Sequence, residues 1–461
     1  MRNGKWISRE MFPVIWALAW PTMVEQFLHT AVQYVDTAMV GSLGTRATAA
    51  VGATSTVNWL VGSTISALGV GFLAFISQSL GQDNRDKARR AVRQAVLCAG
   101  IVGVVFTLLT TLLSSYVPLW MQVDADIRGL TGQYFLILYS PMLFRTASIL
   151  FGTVLRAAGD TKTPMRVGLL VNLINVILNF LLIFPCRSVN VFSWTLWIPG
   201  AGLGVIGAAV ASAIGFAVGG ILMTIVLWRH PMISPRGGSF RLDMSILKPC
   251  LRVALPNALQ RFGTSFGYVA FASLINSVGN MATAAHTIAN TVESAFYVPG
   301  YGMQAAAATL AGNAYGAGDS DKIHKLGRSF LLIELLLMLA SGGLLFAFAP
   351  RLMDIFSDDV QVILLGTIVL RMVAVSEPFY GMSIVIEGMM QGMGRTMVPL
   401  VCNIFGMWVV RILGTYICVH FFGLGLIAAW ACMIGHNLFL FLLFVFYYFS
   451  NGWDKGIKKK S

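Results

Sequence analysis

Six acidic residues lie inside long apolar stretches of this chain, where an ionisable side chain is costly. A charged group near the middle of a bilayer costs roughly 3 kcal/mol on conservative scales, so such residues are functional candidates by default. Their chemistry is the binding of a proton or a small cation, or pairing with an arginine. The acids are Glu25, Asp36, Glu293, Glu334, Glu377 and Glu387, and the arginines in such stretches are Arg145, Arg261, Arg371 and Arg411.

Asp36 is the strongest candidate among these acids. It lies near the end of the first apolar stretch, while Asn175 and Asn179 are four residues apart and share one face of another predicted helix. A carboxylate and two amides supply hard oxygen ligands for a proton or a cation such as Na⁺. We therefore expect a cation-coupling site at Asp36, Asn175 and Asn179, with no resident metal. The alternative is an acid that is merely hydrated at the membrane surface.

The elements that position these side chains are predicted to be membrane helices. The chain is 57% hydrophobic and 11% charged, whereas soluble domains carry about 25% charged residues. A bilayer is crossed by a helix of roughly 20 apolar residues. Twelve stretches, numbered here as segments 1 to 12, have that length: about 13–40, 52–78, 93–118, 133–156, 165–185, 201–228, 247–275, 287–313, 327–349, 362–391, 399–421 and 424–449.

An internal repeat arranges these segments in two lobes. Residues 21–164 align without a gap to the residues 235 positions later, so that Pro21 meets Pro256 and Asp36 meets Phe271. Six crossings return the chain to its starting side, so the copies are parallel and related by an axis along the membrane normal. We predict an all-α integral membrane protein with two six-helix lobes around a central cavity. The predicted divisions are an N-terminal lobe 1–228, a cytoplasmic linker 229–246, a C-terminal lobe 247–449 and a basic tail 450–461.

The cations predict the orientation in the membrane. Placing both termini on one side puts 24 of the 32 Lys and Arg residues there, and the positive-inside rule makes that side the cytoplasm. We expect a multi-pass protein of the cell's inner membrane. The net charge of +13 is then a topology signal, so acidic lipid headgroups are expected partners and nucleic acid is not.

Three further acids are weaker ion-site candidates, and each has a structural alternative. Glu25 lies near the middle of segment 1 and is as well suited to an ion pair with Arg261 or another arginine as to transport. Glu293 replaces Asn58 of the first half and could bind a cation in the second. Glu377 precedes Pro378 and could line the cavity or pair with Arg371.

The remaining positions have smaller predicted roles. Glu387 is interpreted as a local anchor, Glu334 has no partner that the sequence identifies, and Ser212 on segment 6 is a weak site candidate. Pro21 and Pro256, inside the first helix of each half, each free a backbone carbonyl and permit a bend. We predict that these two prolines are hinges.

Missing motifs argue against an enzyme. The six cysteines have no C-x-x-C spacing, which argues against a disulfide framework or a metal site. Neither a phosphate-binding Gly-rich loop nor an H-E-x-x-H motif is found, and Asp358-Asp359 in a predicted outer loop is the nearest approach to a clustered enzyme motif. We expect no cofactor, and energy from an ion gradient or a partner chain.

The motifs together resemble a known transporter family. Pro21, Val35-Asp36-Thr37 with Gly41, Ser77-Gln78-Ser79-Leu80-Gly81 and Leu155-Arg156-Ala157-Ala158-Gly159-Asp160-Thr161 with Pro164 are similar to bacterial multidrug and toxic compound extrusion (MATE) transporters of the NorM-like or DinF-like kind. The second half repeats the pattern with Gly316-Ala317-Gly318-Asp319 and Glu387-Gly388-Met389-Met390-Gln391-Gly392-Met393-Gly394-Arg395-Thr396.

The resemblance implies a secondary active antiporter, expected to be a monomer, that exports cationic amphipathic compounds in exchange for H⁺ or Na⁺. Asp36 matches the family's first-lobe coupling aspartate, and Asn175 and Asn179 match its partners. Some members carry a second aspartate where Asn179 stands, which leaves the coupling ion open. Glu293 lies where some members use a glutamate. The alternative is a lipid-linked oligosaccharide or lipid flippase of the same superfamily, which should have a cationic cavity, whereas the intramembrane acids here outnumber the arginines.

Overall fold

The computed structural model describes residues 10–191, 194–450 and 452–454. The basic residues of the N-terminal tail and of Lys455–Lys460, which contribute to the predicted orientation, lie outside these described residues. The described chain is built from the following helices: α1 Met11–Gly41, α2 Thr45–Gly81, α3 Arg85–Leu113, α4 Val117–Trp120, α5 Ala125–Tyr139, α6 Met142–Ala157, α7 Lys162–Leu182, α8 Val205–Arg229, α9 Met244–Asn276, α10 Asn280–Ala317, α11 Ser320–Asp354, α12 Val360–Gly392, α13 Met397–Phe405, α14 Gly414–Tyr416 and α15 Leu426–Phe449.

Helices lie at the positions of all twelve predicted segments. Segment 4 is the pair α5 and α6, bent by 49°, and segment 11 combines α13 and α14 with two π-helical stretches, Gly406–Leu413 and Ile417–Phe421. In the described residues, eight helices are long and apolar enough to cross a membrane, and the bent pair makes nine. The other three predicted segments, which lie in α1, α9 and α10, are not among these helices, so the full count of twelve membrane crossings stays a prediction.

One element was not predicted from the sequence. After α7 the chain forms an antiparallel hairpin of two strands, β1 Pro185–Val191 and β2 Trp194–Ala201, with Asn190 opposite Thr195. Both strands contain β-branched or aromatic residues, which favour extended backbone. At seven and eight residues, they are also too short to cross a bilayer as helices. The hairpin connects α7 to α8.

Two compact units are formed by the described residues, and we describe each by itself. The first unit comprises Phe27–Phe72 and Arg85–Lys248; the second comprises the residues up to Gln26, Leu73–Asn84 and those from Pro249 onward. The helix α1 therefore supplies its beginning to the second unit and the rest to the first. The predicted lobe boundaries at 228 and 246 remain a prediction.

The turns of the two halves repeat at the backbone level. Gly44 and Gly279 have φ values of +104° and +134°, and Gly159 and Gly394 have +85° and +76°. These left-handed conformations favour glycine because it has no Cβ. Each pair is separated by 235 positions, so the repeat found in the sequence is also present in the conformation of the turns.

A reciprocal contact within the second unit joins the ends of α2 and α10. A Cβ on Gly81 would collide with the Asn313 backbone, and a Cβ on Gly316 would collide with the Gln78 backbone. Gln78 and Asn313 are also 235 positions apart. When two elements are related by a two-fold axis, each contact between them occurs twice with the roles of the two partners interchanged. The contact agrees with the parallel repeat predicted from the sequence.

Candidate functional site

The first unit brings Asp36 together with both predicted asparagines. Asp36 is on α1, and Asn175 and Asn179 lie one turn apart on α7. Asn179 Nδ2 donates to Asp36 Oδ1 at 2.6 Å. Asn179 is 1% exposed and Asn175 is 7% exposed, so two buried amides surround a half-buried carboxylate. The predicted cluster is present in the structure.

The orientation of the Asn175 amide decides how the cluster is connected. With its nitrogen facing α1, Asn175 donates to Asp36 Oδ1 at 3.0 Å and to Oδ2 at 3.3 Å, and its oxygen accepts from Ser212 Oγ at 3.3 Å. The reverse orientation would place an amide oxygen against the carboxylate, which is repulsive. We therefore assign the first orientation. Ser212, on α8, then stabilises Asn175, which in turn contacts Asp36.

One oxygen of the cluster has no partner. Asn179 Oδ1 is buried and makes no hydrogen bond in the part of the chain that the structure describes. A buried carbonyl oxygen left unpaired is costly, and it lies on the same amide whose nitrogen contacts Asp36. Together with the carboxylate, this oxygen is a ligand for a cation or an acceptor for a protonated group.

Arg145 lies in the same unit, but its contacts are with other residues. Its Nη1 donates to Asn58 Oδ1 at 2.6 Å, and its guanidinium carbon lies 4.7 Å from the Phe216 ring centroid. The sequence did not predict the pairing of Arg145 with Asn58. No ion pair between Arg145 and Asp36 is found among the described residues.

The weaker acid candidates gather in the second unit. Glu334 and Glu377, on α11 and α12, are 0% and 1% exposed, and Glu293 on α10 is 4% exposed. Both oxygens of Glu334 and of Glu377 lack a hydrogen-bond partner among the described residues. The alternative pairing of Glu377 with Arg371 is not found, because Arg371 donates to the Phe346 carbonyl oxygen and lies over the Phe346 ring.

Glu387 has the contacts expected of a local anchor. Its Oε1 accepts from Gln260 Nε2 at 2.9 Å and from Gln391 Nε2 at 3.0 Å, and its Oε2 accepts from Asn403 Nδ2 at 3.3 Å. Three amides from α9, α12 and α13 therefore bind one carboxylate. Arg261 is nearby, and its Nε donates to Asn257 Oδ1 at 3.0 Å. Glu25 is half-buried in α1.

The two predicted hinges lie within continuous helices. Pro21 is inside α1, and Pro256 is inside α9 together with Pro249. The residue after Pro21 is tied to the second unit, because Thr22 Oγ1 donates to the Gly302 carbonyl oxygen at 2.8 Å. The residue that directly follows Pro21 is therefore held within the second unit. Bending at either proline stays a prediction.

The second unit places a different pair at the counterpart of the Asp36 cluster. Phe271, which aligns with Asp36, faces Arg411 on the π-helical stretch of segment 11, the repeat of segment 5. The Arg411 guanidinium carbon is 4.7 Å from the Phe271 ring centroid and 5.2 Å from that of Tyr268. Sequence reasoning noted Arg411 as an intramembrane arginine, but nothing in the sequence paired it with Phe271.

The described residues contain no group of three or more His, Cys, Asp or Glu side chains able to hold a metal ion. This finding concerns permanent metal sites of that composition. Asp36 with Asn175 and Asn179 has one carboxylate and two amides, so it falls outside that composition.

Comparisons with known proteins agree with the repeat. The sequence profile of the MatE family matches twice, at residues 21–181 and 256–417. The second match is one residue longer, and a π-helical turn accommodates one more residue than an α-helical turn because its hydrogen bonds span five residues in place of four.

Relatives cover nearly the whole chain. A probable multidrug resistance protein NorM of Thermotoga maritima is 29% identical over 438 residues, 95% of this chain and 92% of the relative. The human multidrug and toxin extrusion protein 1 is 23% identical over 98% of this chain and 77% of its own length. Among solved structures, a MOP superfamily transporter from Pyrococcus furiosus has a TM-score of 0.87 at 24% identity, covering 97% of this chain and 96% of that one. That structure is similar in fold.

Proposed function

This chain belongs to the MatE family of membrane transporters, and from that premise we propose that it is a secondary active multidrug efflux antiporter. It exports cationic amphipathic compounds, and H⁺ or Na⁺ enters in exchange. The names of its relatives, multidrug resistance and multidrug extrusion proteins, support the efflux of drugs. Family members are transporters, so the chain is not an enzyme.

The observation that carries the proposed coupling is the Asp36 cluster. Asp36 accepts a 2.6 Å hydrogen bond from Asn179, whose own Oδ1 has no partner in the described residues. A carboxylate next to an unpaired amide oxygen matches the hard ligands that Na⁺ prefers. A proton would be taken by the carboxylate itself, because burial away from water favours the neutral acid. The same side chains therefore suit either ion.

The exchange depends on one carboxylate that binds one partner at a time. While Asp36 is charged, the amides of Asn179 and Asn175 hold α1 against α7. Binding of H⁺ or Na⁺ neutralises this charge and weakens hydrogen bonds that are strong because they are charge-assisted. The helix α1 is then free to bend at Pro21, where one backbone hydrogen bond is already missing. Substrate held at the external side is released by this change of shape.

The energy of an ion gradient is sufficient for this exchange. Moving one charge through 100 mV gives about 2.3 kcal/mol, and each pH unit adds about 1.4 kcal/mol. One coupling ion exchanged for one monovalent drug moves no net charge, so the chemical gradient alone drives the exchange. Two ions per drug would add the voltage.

We place the protein in the inner membrane as a monomer with both termini in the cytoplasm. The distribution of Lys and Arg supports this orientation. Basic side chains in the connections on that side would contact anionic lipid headgroups. In the described residues, the connection between α8 and α9 packs on α3, where Arg89 Nε donates to the Met232 carbonyl oxygen at 3.0 Å and Gln94 Nε2 donates to the Arg241 carbonyl oxygen at 2.7 Å.

The decisive experiment is Asp36→Asn in liposomes. Efflux of an ethidium-type cationic dye is followed after a pH jump and, separately, after a Na⁺ jump. We expect the wild-type protein to respond to at least one jump and the variant to neither, with folding preserved because Asn is of the same size. Asp126→Asn is the matched control, since Asp126 is 77% exposed and is paired with Arg46, which is 72% exposed.

Two outcomes would contradict the proposal. Full ion-driven efflux by Asp36→Asn would remove the assignment of the coupling site. Wild-type protein that transports no dye under either gradient but moves labelled lipid between leaflets would favour the flippase.

A further inference from the structure

Two cysteine thiols of the second unit lie in contact on neighbouring membrane segments. Cys418 is on the π-helical stretch Ile417–Phe421 of segment 11, and Cys432 is on α15. Their Sγ atoms are 3.9 Å apart, and both residues are partly exposed. The sequence did not predict this contact, because the two cysteines are 14 positions apart and lack C-x-x-C spacing. Neither thiol has a role in the proposed exchange.

The contact belongs to a row of close contacts between segment 11 and α15. A Cβ on Gly406 would lie 2.5 Å from the His436 ring. Two turns later, a Cβ on Gly414 would lie 3.3 Å from Cys432 Sγ. Cys418 follows Gly414 by one more turn and meets the same sulfur. Glycines let two membrane helices approach closely, so this row brings the two backbones together where the thiols meet.

The separation of the two helices is suited to a disulfide bond. The Cβ position of Gly414 is 3.7 Å from Cys432 Cβ, and disulfide-bonded cysteines have a Cβ–Cβ distance of about 3.8 Å. Because bonded sulfurs are about 2.05 Å apart, the Cys418 and Cys432 sulfurs must approach by about 2 Å in all. A partial rotation of each side chain about its Cα–Cβ bond supplies this movement, so the helices can stay in place.

The two thiols lie at the end of segment 11 that is predicted to face the outer side of the membrane. The Cys418 carbonyl oxygen accepts a hydrogen bond from the Leu424 backbone nitrogen at 2.9 Å, so Cys418 is next to the turn that joins segment 11 to α15. In the proposed orientation this turn is outside the cytoplasm. Disulfide bonds form and persist in such compartments, whereas the cytosol keeps thiols reduced.

We propose that Cys418 and Cys432 are a site of reversible oxidation, at which a disulfide compound on the outer side is reduced and an internal disulfide bond is formed. The thiolate of one cysteine attacks the external disulfide, and one thiol leaves. The second thiolate then attacks the resulting mixed disulfide, and the other thiol leaves. The two cysteines lose two electrons and two protons, which the two released thiols carry away.

This inference goes beyond the proposed antiport. Only the side from which the oxidant comes rests on the proposed orientation. The bond would join the end of segment 11 to α15 within the second unit, whereas Asp36 and its two asparagines belong to the first.

The test is the state of each thiol in purified protein treated with oxidised glutathione. The protein is then unfolded, labelled with a maleimide and analysed by mass spectrometry, which distinguishes free thiols, glutathione adducts and internal bonds. We expect a bond between Cys418 and Cys432 that carries no glutathione. In Cys418→Ser, the Cys432 thiol should carry either the label or glutathione, because it has lost its partner. Dithiothreitol should restore both labels in wild-type protein.

Cys402→Ser is the matched control. Cys402 is also a partly exposed cysteine of the second unit, and the bond should form in this variant as in the wild type. Cys418→Ala and Cys432→Ala give the same readout if a serine variant does not fold.

A second readout is the melting temperature. The bond closes a loop of about 14 residues, and such a closure stabilises a protein mainly by restricting its unfolded chain. Oxidation should therefore raise the melting temperature of wild-type protein and of Cys402→Ser. It should leave that of Cys418→Ser unchanged.

Two results would overturn the inference. One is two free thiols at Cys418 and Cys432 after oxidation, and the other is a glutathione adduct on each without an internal bond. The side of the oxidant is tested by adding oxidised glutathione to intact cells and to inverted membrane vesicles. We expect the bond in cells, and a bond in inverted vesicles alone would overturn the outer source. Failure of the proposed antiport is distinguishable, since it abolishes dye efflux and leaves the thiol states unchanged.

Discussion

The two halves of this chain share a backbone repeat, but they carry opposite charges where segment 1, or its counterpart segment 7, meets a neighbouring helix. In the first unit, the position on segment 1 is an acid, Asp36, which faces the amides of α7. In the second, the corresponding position on segment 7 is Phe271, which faces the Arg411 guanidinium at 4.7 Å. The helices that meet are the same in both halves. The side chains at this helix–helix crossing differ, and segment 11 is π-helical at Arg411 where α7 is α-helical. The repeat supplies the pair of helices, and the side chains decide the charge.

The difference between these two helix–helix crossings, Asp36 with α7 in the first half and Phe271 with Arg411 in the second, follows from physical chemistry. In the proposed exchange, the carboxylate with amide neighbours changes its counter-ion because a proton or Na⁺ reaches it by diffusion and leaves again. A guanidinium on a tether cannot leave, and it keeps its charge at any physiological pH. One crossing is therefore suited to responding to the medium and the other to staying constant. A duplicated membrane unit can thus divide one task between its copies.

The largest effect expected from breaking the first crossing, after Asp36 itself, is that of Asn179→Ala. The hydrogen bond at 2.6 Å goes to a charged group, and such bonds contribute about 1.5–3 kcal/mol. If Na⁺ is the exchanged ion, loss of the Oδ1 ligand should raise the Na⁺ concentration for half-maximal dye efflux roughly 10- to 100-fold. If H⁺ is the exchanged ion, loss of a donor that stabilises the charged carboxylate should instead lower the H⁺ concentration for half-maximal efflux.

The matched control for Asn179 lies in the second half. Thr415 follows Arg411 by four residues, as Asn179 follows Asn175, and it is also buried. Thr415→Ala should leave the ion dependence unchanged. Equal shifts in both variants would mean that the two crossings serve the same function, contrary to the comparison.

The chemistry of the first crossing was predictable from the sequence, whereas that of the second was not. An acid in an apolar segment stands out, and the four-residue spacing of Asn175 and Asn179 places both amides on one face of a helix. The contact between Phe271 and Arg411 depends on how two helices are rotated about their axes. These helices are apolar on nearly every face, so their periodicity does not indicate which face is buried. The π-helical stretch at Arg411 adds a local change of rotation.

The same reasoning explains which other features of the structure could be predicted from the sequence and which could not. Segment positions follow from length and apolarity, and all twelve coincide with helices in the described residues. The pairing of Arg145 with Asn58 and the amide cage of Glu387 join helices distant in sequence, and no local pattern encodes them. The hairpin at Pro185–Ala201 was missed because it lies between segments, where hydropathy carries little information about local structure.

The shared geometry of the halves is tested by Gly316→Ala, for which we expect a smaller effect. A Cβ at this position would collide with the Gln78 backbone, and overpacking of this kind typically costs about 1–3 kcal/mol. The melting temperature should fall, and Gly81→Ala should lower it similarly because the contact is reciprocal. Gly343→Ala is the control, since its Cβ meets open space and alanine favours a helix by up to about 1 kcal/mol. A tolerated Gly316→Ala would argue against the close approach of α2 and α10.

The smallest expected effect concerns Ser212, which contacts Asp36 only through Asn175. Its hydroxyl lies 3.3 Å from the Asn175 amide, and a neutral hydrogen bond of this kind contributes about 0.5–1.5 kcal/mol. Ser212→Ala should therefore shift the half-maximal ion concentration by only about 2- to 10-fold, while the maximal rate of efflux stays near the wild-type value. The effect should vanish in an Asn175→Ala background, because the hydroxyl then has no amide to orient. A shift that persists there would mean that Ser212 contacts the ion itself, which would add a hydroxyl ligand to the first crossing and favour Na⁺ over H⁺ as the exchanged ion.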